Sequence, residues 1–127
     1  MITGGCFCGE VRYAIEDGEY PVANCHCSMC RRTSAAPFVT WLVAPEASFN
    51  YTKGRPKVLK SSEMGTRYFC ANCGTPVACV LTTQPGDIDV RCVVSIIQTI
   101  SFRNMRRTKT QNLIGFPRRR RKTFIVD

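Results

Sequence analysis

"CFCGEVRYAIE", residues 6–16, opens with two cysteines spaced by one residue and then settles into alternation. Val11, Tyr13 and Ile15 are apolar, and Glu10, Arg12, Ala14 and Glu16 fall between them. This is the period of two expected of a strand with one buried face. Short β-prone runs of the same kind follow at Pro37–Val43, Ser48–Thr52, Lys57–Lys60, Thr66–Phe69 and Pro76–Thr82. Turn material separates them: Asp17-Gly18, Lys53-Gly54-Arg55-Pro56, Ala71-Asn72-Cys73-Gly74 and Gln84-Pro85-Gly86-Asp87. No sustained helical period interrupts residues 1–90. The body is therefore predicted to be all-β, a small antiparallel architecture that bound metal helps to staple.

The chain's 127 residues suffice for one domain with a modest core, and its 44% hydrophobic content is that of a globular protein. No run approaches the ~18 apolar residues of a membrane helix, so no membrane partner is expected. Met1 to Gly9 shows neither the basic start nor the apolar centre of a signal peptide, which predicts a cytoplasmic location.

Nine cysteines are too many to pass as core filler. An odd count and the missing secretion signal argue against a disulfide scaffold. The spacing argues further. Cys6/Cys8 and Cys25/Cys27 are separated by one residue, and Cys27/Cys30 and Cys70/Cys73 by two. Such short spacings bring several thiolates onto one metal, and zinc is the first choice for soft sulfur sites, with an iron–sulfur centre as the other candidate. In a strand, alternate residues share a face, so each one-residue pair is expected to aim two sulfurs at one point. Cys70-Ala71-Asn72-Cys73-Gly74 is expected to form a tight knuckle.

Seven cysteines fall in these clusters, one short of two closed four-cysteine sites. One arrangement is a closed site of Cys6, Cys8, Cys70 and Cys73 beside a three-ligand site of Cys25, Cys27 and Cys30. Structural zinc is normally closed, whereas catalytic zinc keeps a position for water or substrate. The alternative is a second structural site, closed by a fourth ligand from elsewhere.

Charge divides the chain. Residues 1–90 carry eight Lys/Arg and eight Asp/Glu, while residues 91–127 carry ten Lys/Arg and a single Asp, which is the whole net charge of +9. The cysteine-bearing body is neutral and lacks a basic, aromatic-studded face, which disfavours nucleic acid as its partner.

The strings "GGCFCGEVRY", "NCHCSMCRRTSAAPFVTW" and "SSEMGTRYFCANCGTPV" resemble, in order and spacing, the glutathione-dependent formaldehyde-activating (GFA) family, which includes centromere protein V. The resemblance covers residues 4 to about 90. It implies a β-tent of small twisted antiparallel sheets and two zinc ions. It also implies the same division of ligands: Cys6, Cys8, Cys70 and Cys73 structural, Cys25, Cys27 and Cys30 catalytic. The implied activity is that of a carbon–sulfur lyase acting on glutathione and formaldehyde, or a related thiol adduct. A non-catalytic, zinc-stabilised binding module is the alternative, because fold alone does not carry function.

Residues 91–127 form a second segment, atypical for the family and basic, with Arg118-Arg119-Arg120-Arg121-Lys122 as a run. One explanation is a genuine tail that binds nucleic acid or an acidic surface. The other is a frameshift. Permitted codons from Val94 onward, read from their third base, spell LDHPDDFVPQH, the kind of ending the resemblance implies.

Arg31 and Arg32 are candidate substrate-binding residues, since a guanidinium fork suits the carboxylates of glutathione. His26 is expected to point away from its cysteine neighbours, toward the surface. Phe38 and Trp41 are expected in the core between the sheets, with lining of the thiol pocket as the alternative, and Cys79 as a small buried hydrophobe sharing a strand face with Val77 and Leu81. Cys92 is assigned nothing.

Overall fold

The computed structural model describes residues 1–92, which form nine strands and one short α-helix. In chain order these are β1 (Ile2–Gly5), β2 (Arg12–Ile15), β3 (Val22–Cys25), α1 (Ser28–Ser34), β4 (Val39–Pro45), β5 (Phe49–Lys53), β6 (Lys57–Lys60), β7 (Gly65–Phe69), β8 (Pro76–Leu81) and β9 (Asp87–Arg91). The all-β expectation holds, and all pairing is antiparallel. A three-stranded sheet runs β1-β2-β5, and a six-stranded sheet runs β3-β4-β9-β8-β7-β6.

The alternation at residues 10–16 does what its pattern demands. Tyr13 and Ile15 are buried and pack with Phe49, Leu42, Ala44, Ile88 and Val90 in the core between the two sheets. Tyr13 stacks on Phe49 with ring centroids 5.3 Å apart, and Phe49 meets Tyr51 edge-on at 4.9 Å. Aromatic pairs at these separations gain from ring electrostatics as well as from burial. The opposite face of the larger sheet carries a second cluster of Cys30, Val39, Trp41 and Cys79, with Cys25 and Leu81 packed against it. Both cores therefore share one sheet as their common wall.

Several details differ from the sequence reading. Residues 28–34 form a helix, although seven residues are too few to display a convincing 3.6-residue period. Cys27 caps it in extended conformation, its sulfur accepting from the Cys30 N–H at 3.3 Å. Phe38 is 42% exposed rather than in the core, and its ring lies 5.4 Å from that of the half-buried His26. Val77 does not share Cys79's environment: the pairing of β7 with β8 shifts register between Tyr68 and Phe69, and Val77 turns into the main core. The expectations for the basic tail lie outside the described residues.

Candidate metal centres

Cys6 and Cys8 follow β1, and Cys70 and Cys73 sit in the connection from β7 to β8. The first pair lies in a turn, not in a strand as the alternation argument supposed; the Gly9 N–H closes this turn on the Cys6 carbonyl at 3.3 Å. The second pair forms the expected knuckle. Gly74 donates to the Cys70 carbonyl at 2.9 Å and takes a φ of 73°, a left-handed conformation that glycine adopts without strain. Both turns thus present their sulfurs to one point, joining the three-stranded sheet to the six-stranded one.

The four sulfurs of Cys6, Cys8, Cys70 and Cys73 all lie within 4.8 Å of one another. Cys6 and Cys8 are 3.5 Å apart, and Cys8 and Cys70 are 3.7 Å apart. A disulfide would need about 2.05 Å. Sulfurs at the corners of a zinc tetrahedron, with Zn–S near 2.3 Å, stand about 3.8 Å apart. The donor set and its spacing therefore fit a closed, four-thiolate zinc.

Negative charge in this cluster is supported unevenly. The Thr75 hydroxyl and N–H hold the Cys73 thiol down to about 5, and the hydroxyl contact is 3.1 Å. Cys70 receives the Cys73 N–H, but burial and the Cys6 and Cys73 sulfurs outweigh it and push its thiol up to about 11. Burial opposes ionisation of Cys6, yet the Val11 N–H at 3.3 Å and neighbouring sulfurs bring it below its ordinary value. Thiolates that must share so small a volume need a cation to ionise together.

Cys25, Cys27 and Cys30 form the second cluster, their sulfurs also within 4.8 Å of one another. Cys25 ends β3, Cys27 caps α1 and Cys30 lies one turn into the helix, so strand end and helix start fold three sulfurs together. Among the described residues no fourth Cys, His, Asp or Glu joins them. Burial pushes the Cys25 thiol up to about 12. Cys27 is exposed; desolvation opposes its thiolate, but the Cys30 N–H and the two other sulfurs lower it. Three sulfurs so arranged fit a zinc ion that keeps one position free.

The sequence reading did not single out the charged groups around this second cluster. Arg67 on β7 donates from Nη2 to the Cys30 sulfur at 3.8 Å. Its register partner on β8 is Cys79, whose own partner on β9 is Asp89. Asp89 is held above the usual carboxylate range, first by burial and then by Asp87. Arg91 lies over the Trp41 ring with its guanidinium carbon 5.3 Å from the ring centre. Only cross-strand register, which single-strand periodicity does not give, could have brought these residues to the cysteines.

Arg31 and Arg32 occupy the last turn of α1. Arg31 is half-buried, with a buried Nε that has no hydrogen-bond partner, and Arg32 is exposed. His26 stays out of both sulfur clusters. Cys79 is 3% exposed and packs beside Cys30, in keeping with its reading as a buried hydrophobe. No helix among the described residues is long and apolar enough to cross a membrane.

Comparison with known proteins agrees with this architecture. The curated relatives include a protein of Schizosaccharomyces pombe named an uncharacterized lyase, 32% identical over 74 residues, covering 57% of this chain and 52% of the relative. Another is a putative glutathione-dependent formaldehyde-activating enzyme of Halomonas elongata, 25% identical over 83 residues, covering 59% of this chain and 53% of the relative. The chain thus spans about half the length of these two relatives. A crystal structure of a Rhodobacter sphaeroides protein shares the fold, with a TM-score of 0.63 at 20% identity, covering 77% of this chain and 89% of that one. The model of the family described as "Glutathione-dependent formaldehyde-activating enzyme" matches residues 1–108, running past Val90, where the resemblance in the quoted motifs ends. The chain belongs to the GFA family.

Proposed function

We propose that this chain is a zinc-dependent carbon–sulfur lyase acting on the adduct of glutathione and formaldehyde, or on a related thiol adduct. The observation that carries the reading is the inequality of the two clusters: four sulfurs gather at one, three at the other. In this reading Cys6, Cys8, Cys70 and Cys73 hold a structural zinc that ties the sheets together. Cys25, Cys27 and Cys30 hold a catalytic zinc on the far face of the larger sheet. Zinc bound there supplies a Lewis acid that lowers the pKa of a thiol and polarises a carbonyl.

The protein's own part is placement. Cys25 and Cys27 fix the cluster from the strand end and the helix cap, and Cys30 backs onto Trp41, Val39 and Cys79. The apolar wall excludes water from one side of the reacting groups. Arg31 and Arg32, which follow Cys30 in the last turn of α1, are the residues to which this reading gives the carboxylates of the thiol substrate. In the condensation direction the thiolate sulfur donates a pair to the formaldehyde carbon. The C=O π pair moves to oxygen, and the proton lost by the thiol ends on that oxygen. Cleavage of the C–S bond is the same path reversed. We place the protein in the cytoplasm, where reducing conditions preserve nine free cysteines.

The test is NMR exchange spectroscopy of glutathione and formaldehyde with the zinc-loaded chain. The reading expects interconversion faster than the spontaneous reaction, and loss of that excess in Cys27→Ser. A rate equal to the spontaneous one at full zinc loading favours a zinc-stabilised binding module instead.

A further inference from the structure

We propose that Arg67 is a positioning residue that selects an anionic thiolate, over a neutral ligand, for the open position of the Cys25/Cys27/Cys30 site. The inference rests on the reading of that site as an open zinc centre. It starts from an asymmetry between the two clusters. The sulfur hydrogen bonds of the four-cysteine cluster come from main-chain N–H groups and the Thr75 hydroxyl, as from Val11 to Cys6 at 3.3 Å. At the three-cysteine cluster a full positive charge reaches the sulfur, through Arg67 Nη2 on Cys30 at 3.8 Å.

The guanidinium is anchored for this task. Its Nε donates to the Ser61 Oγ at 3.1 Å, and Ser61 is tied to the Gly65 carbonyl through its N–H at 2.9 Å and its hydroxyl at 3.2 Å. The turn between β6 and β7 thus fixes Nε of the guanidinium, and its Nη2 donates to Cys30. A planar fork held through one nitrogen loses little further entropy in holding the sulfur through another. The β7–β8 register puts Arg67 opposite Cys79, which is itself packed against Cys30.

Charge counting gives the consequence. Three thiolates and one zinc(II) sum to one negative charge, so a fourth thiolate must join an anion. A guanidinium on one of the sulfurs cancels that charge and withdraws electron density from the sulfur it holds. Arg67 therefore favours a thiolate newcomer by attraction, while a neutral newcomer gains nothing from it. A closed four-thiolate structural site has no newcomer to attract, and neutral donors serve it.

The test uses the full chain loaded with cobalt(II), whose sulfur-to-metal charge-transfer bands report the ligands. Glutathione and imidazole are titrated as the anionic and neutral probes. Arg67→Gln is expected to keep both metals, to bind glutathione about tenfold or more weaker than the parent, and to bind imidazole unchanged. Arg67→Lys is expected to recover at least part of the glutathione affinity. The proposal is overturned if Arg67→Gln binds glutathione as tightly as the parent, or loses both probes equally. It is also overturned if that variant sheds the metal of the three-cysteine site, or if lysine rescues nothing. A parent chain that takes one cobalt only, or binds no glutathione, overturns the open-site reading itself and this inference with it.

Discussion

Arg67 on β7 reaches the sulfur of Cys30 in α1 at 3.8 Å, although 37 residues separate them in the chain. That contact links the helix start bearing the three-sulfur cluster to the far half of the six-stranded sheet. The four-sulfur cluster makes the complementary link, from the turn after β1 to the β7–β8 knuckle. The hairpin of β7 and β8 is therefore held to both sulfur clusters.

Removing one sulfur from the closed site should loosen the joint between the sheets. Cys70 is buried and lies 3.7 Å from Cys8 across 62 residues of chain, so metal bound there closes a long loop. Cys70→Ser is expected to lose one zinc and several kcal/mol of stability, as is typical when a structural zinc is lost. Thermal melting with and without a chelator checks this. The chelator should lower the melting temperature of the parent markedly and that of the variant little.

Acid should empty the three-cysteine site first. Metal needs thiolates, so each proton displaced at binding makes affinity fall about tenfold per pH unit lowered. Cys25, its thiol pushed up to about 12 by burial, must give up a tightly held proton. The other cluster holds a thiol of each kind, Cys73 held down to about 5 by Thr75 and Cys70 pushed up to about 11, but it grips its ion with four thiolates where the Cys25/Cys27/Cys30 site has three. Zinc release followed by a chromophoric chelator across an acid titration should show two steps, and Cys27→Ser should abolish the one at higher pH.

At alkaline pH the core tyrosines take over. Burial first, then neighbouring ionisable groups, raise Tyr13 and Tyr51 above their ordinary value of 10.0. A phenol whose folded pKa is raised contributes stability that is present below its unfolded pKa and lost as pH climbs above it. Stability should therefore decline as pH rises above about 10. The buried Tyr51 hydroxyl has no hydrogen-bond partner, so Tyr51→Phe should cost little at neutral pH and flatten the alkaline decline. Urea midpoints at pH 7 and pH 11 would measure both halves of this expectation.

Gly54, in the turn between β5 and β6, has a φ of 62°, and a Cβ there would run into the Glu10 carbonyl oxygen. Gly54→Ala should destabilise the fold by on the order of 2 kcal/mol, from left-handed strain and the backbone clash together. Denaturant unfolding should register this as a lower midpoint at unchanged slope.

Much of this architecture was legible in particular residues. Lys57–Lys60 is a strand with the bounds that its β-prone run suggested. The Cys70–Gly74 knuckle follows from the two-residue spacing and the trailing glycine. Other features were not legible, for identifiable reasons. β1 (Ile2–Gly5) ends in two glycines and β3 (Val22–Cys25) contains Ala23 and Asn24, residues of low strand propensity, so neither stands out, and α1 makes barely two turns. The Cys6/Cys8 pair sits in a turn because Gly9 adopts a φ of 84°, a freedom that the one-residue spacing does not advertise. Arg67 and Arg91 come near Cys30, and Asp89 near Cys79, through the pairings β7–β8, β8–β9 and β4–β9, and such pairings are set by tertiary register rather than by local pattern.

The division of seven cysteines into a closed site and an open one is the central claim, and metal content by mass spectrometry of the intact chain tests it most directly. The account predicts about two zinc ions per chain in the parent, and about one in Cys27→Ser with the β-sheet circular dichroism and melting temperature largely retained. A parent that holds one zinc, or a Cys27→Ser chain that keeps two or unfolds, would contradict it.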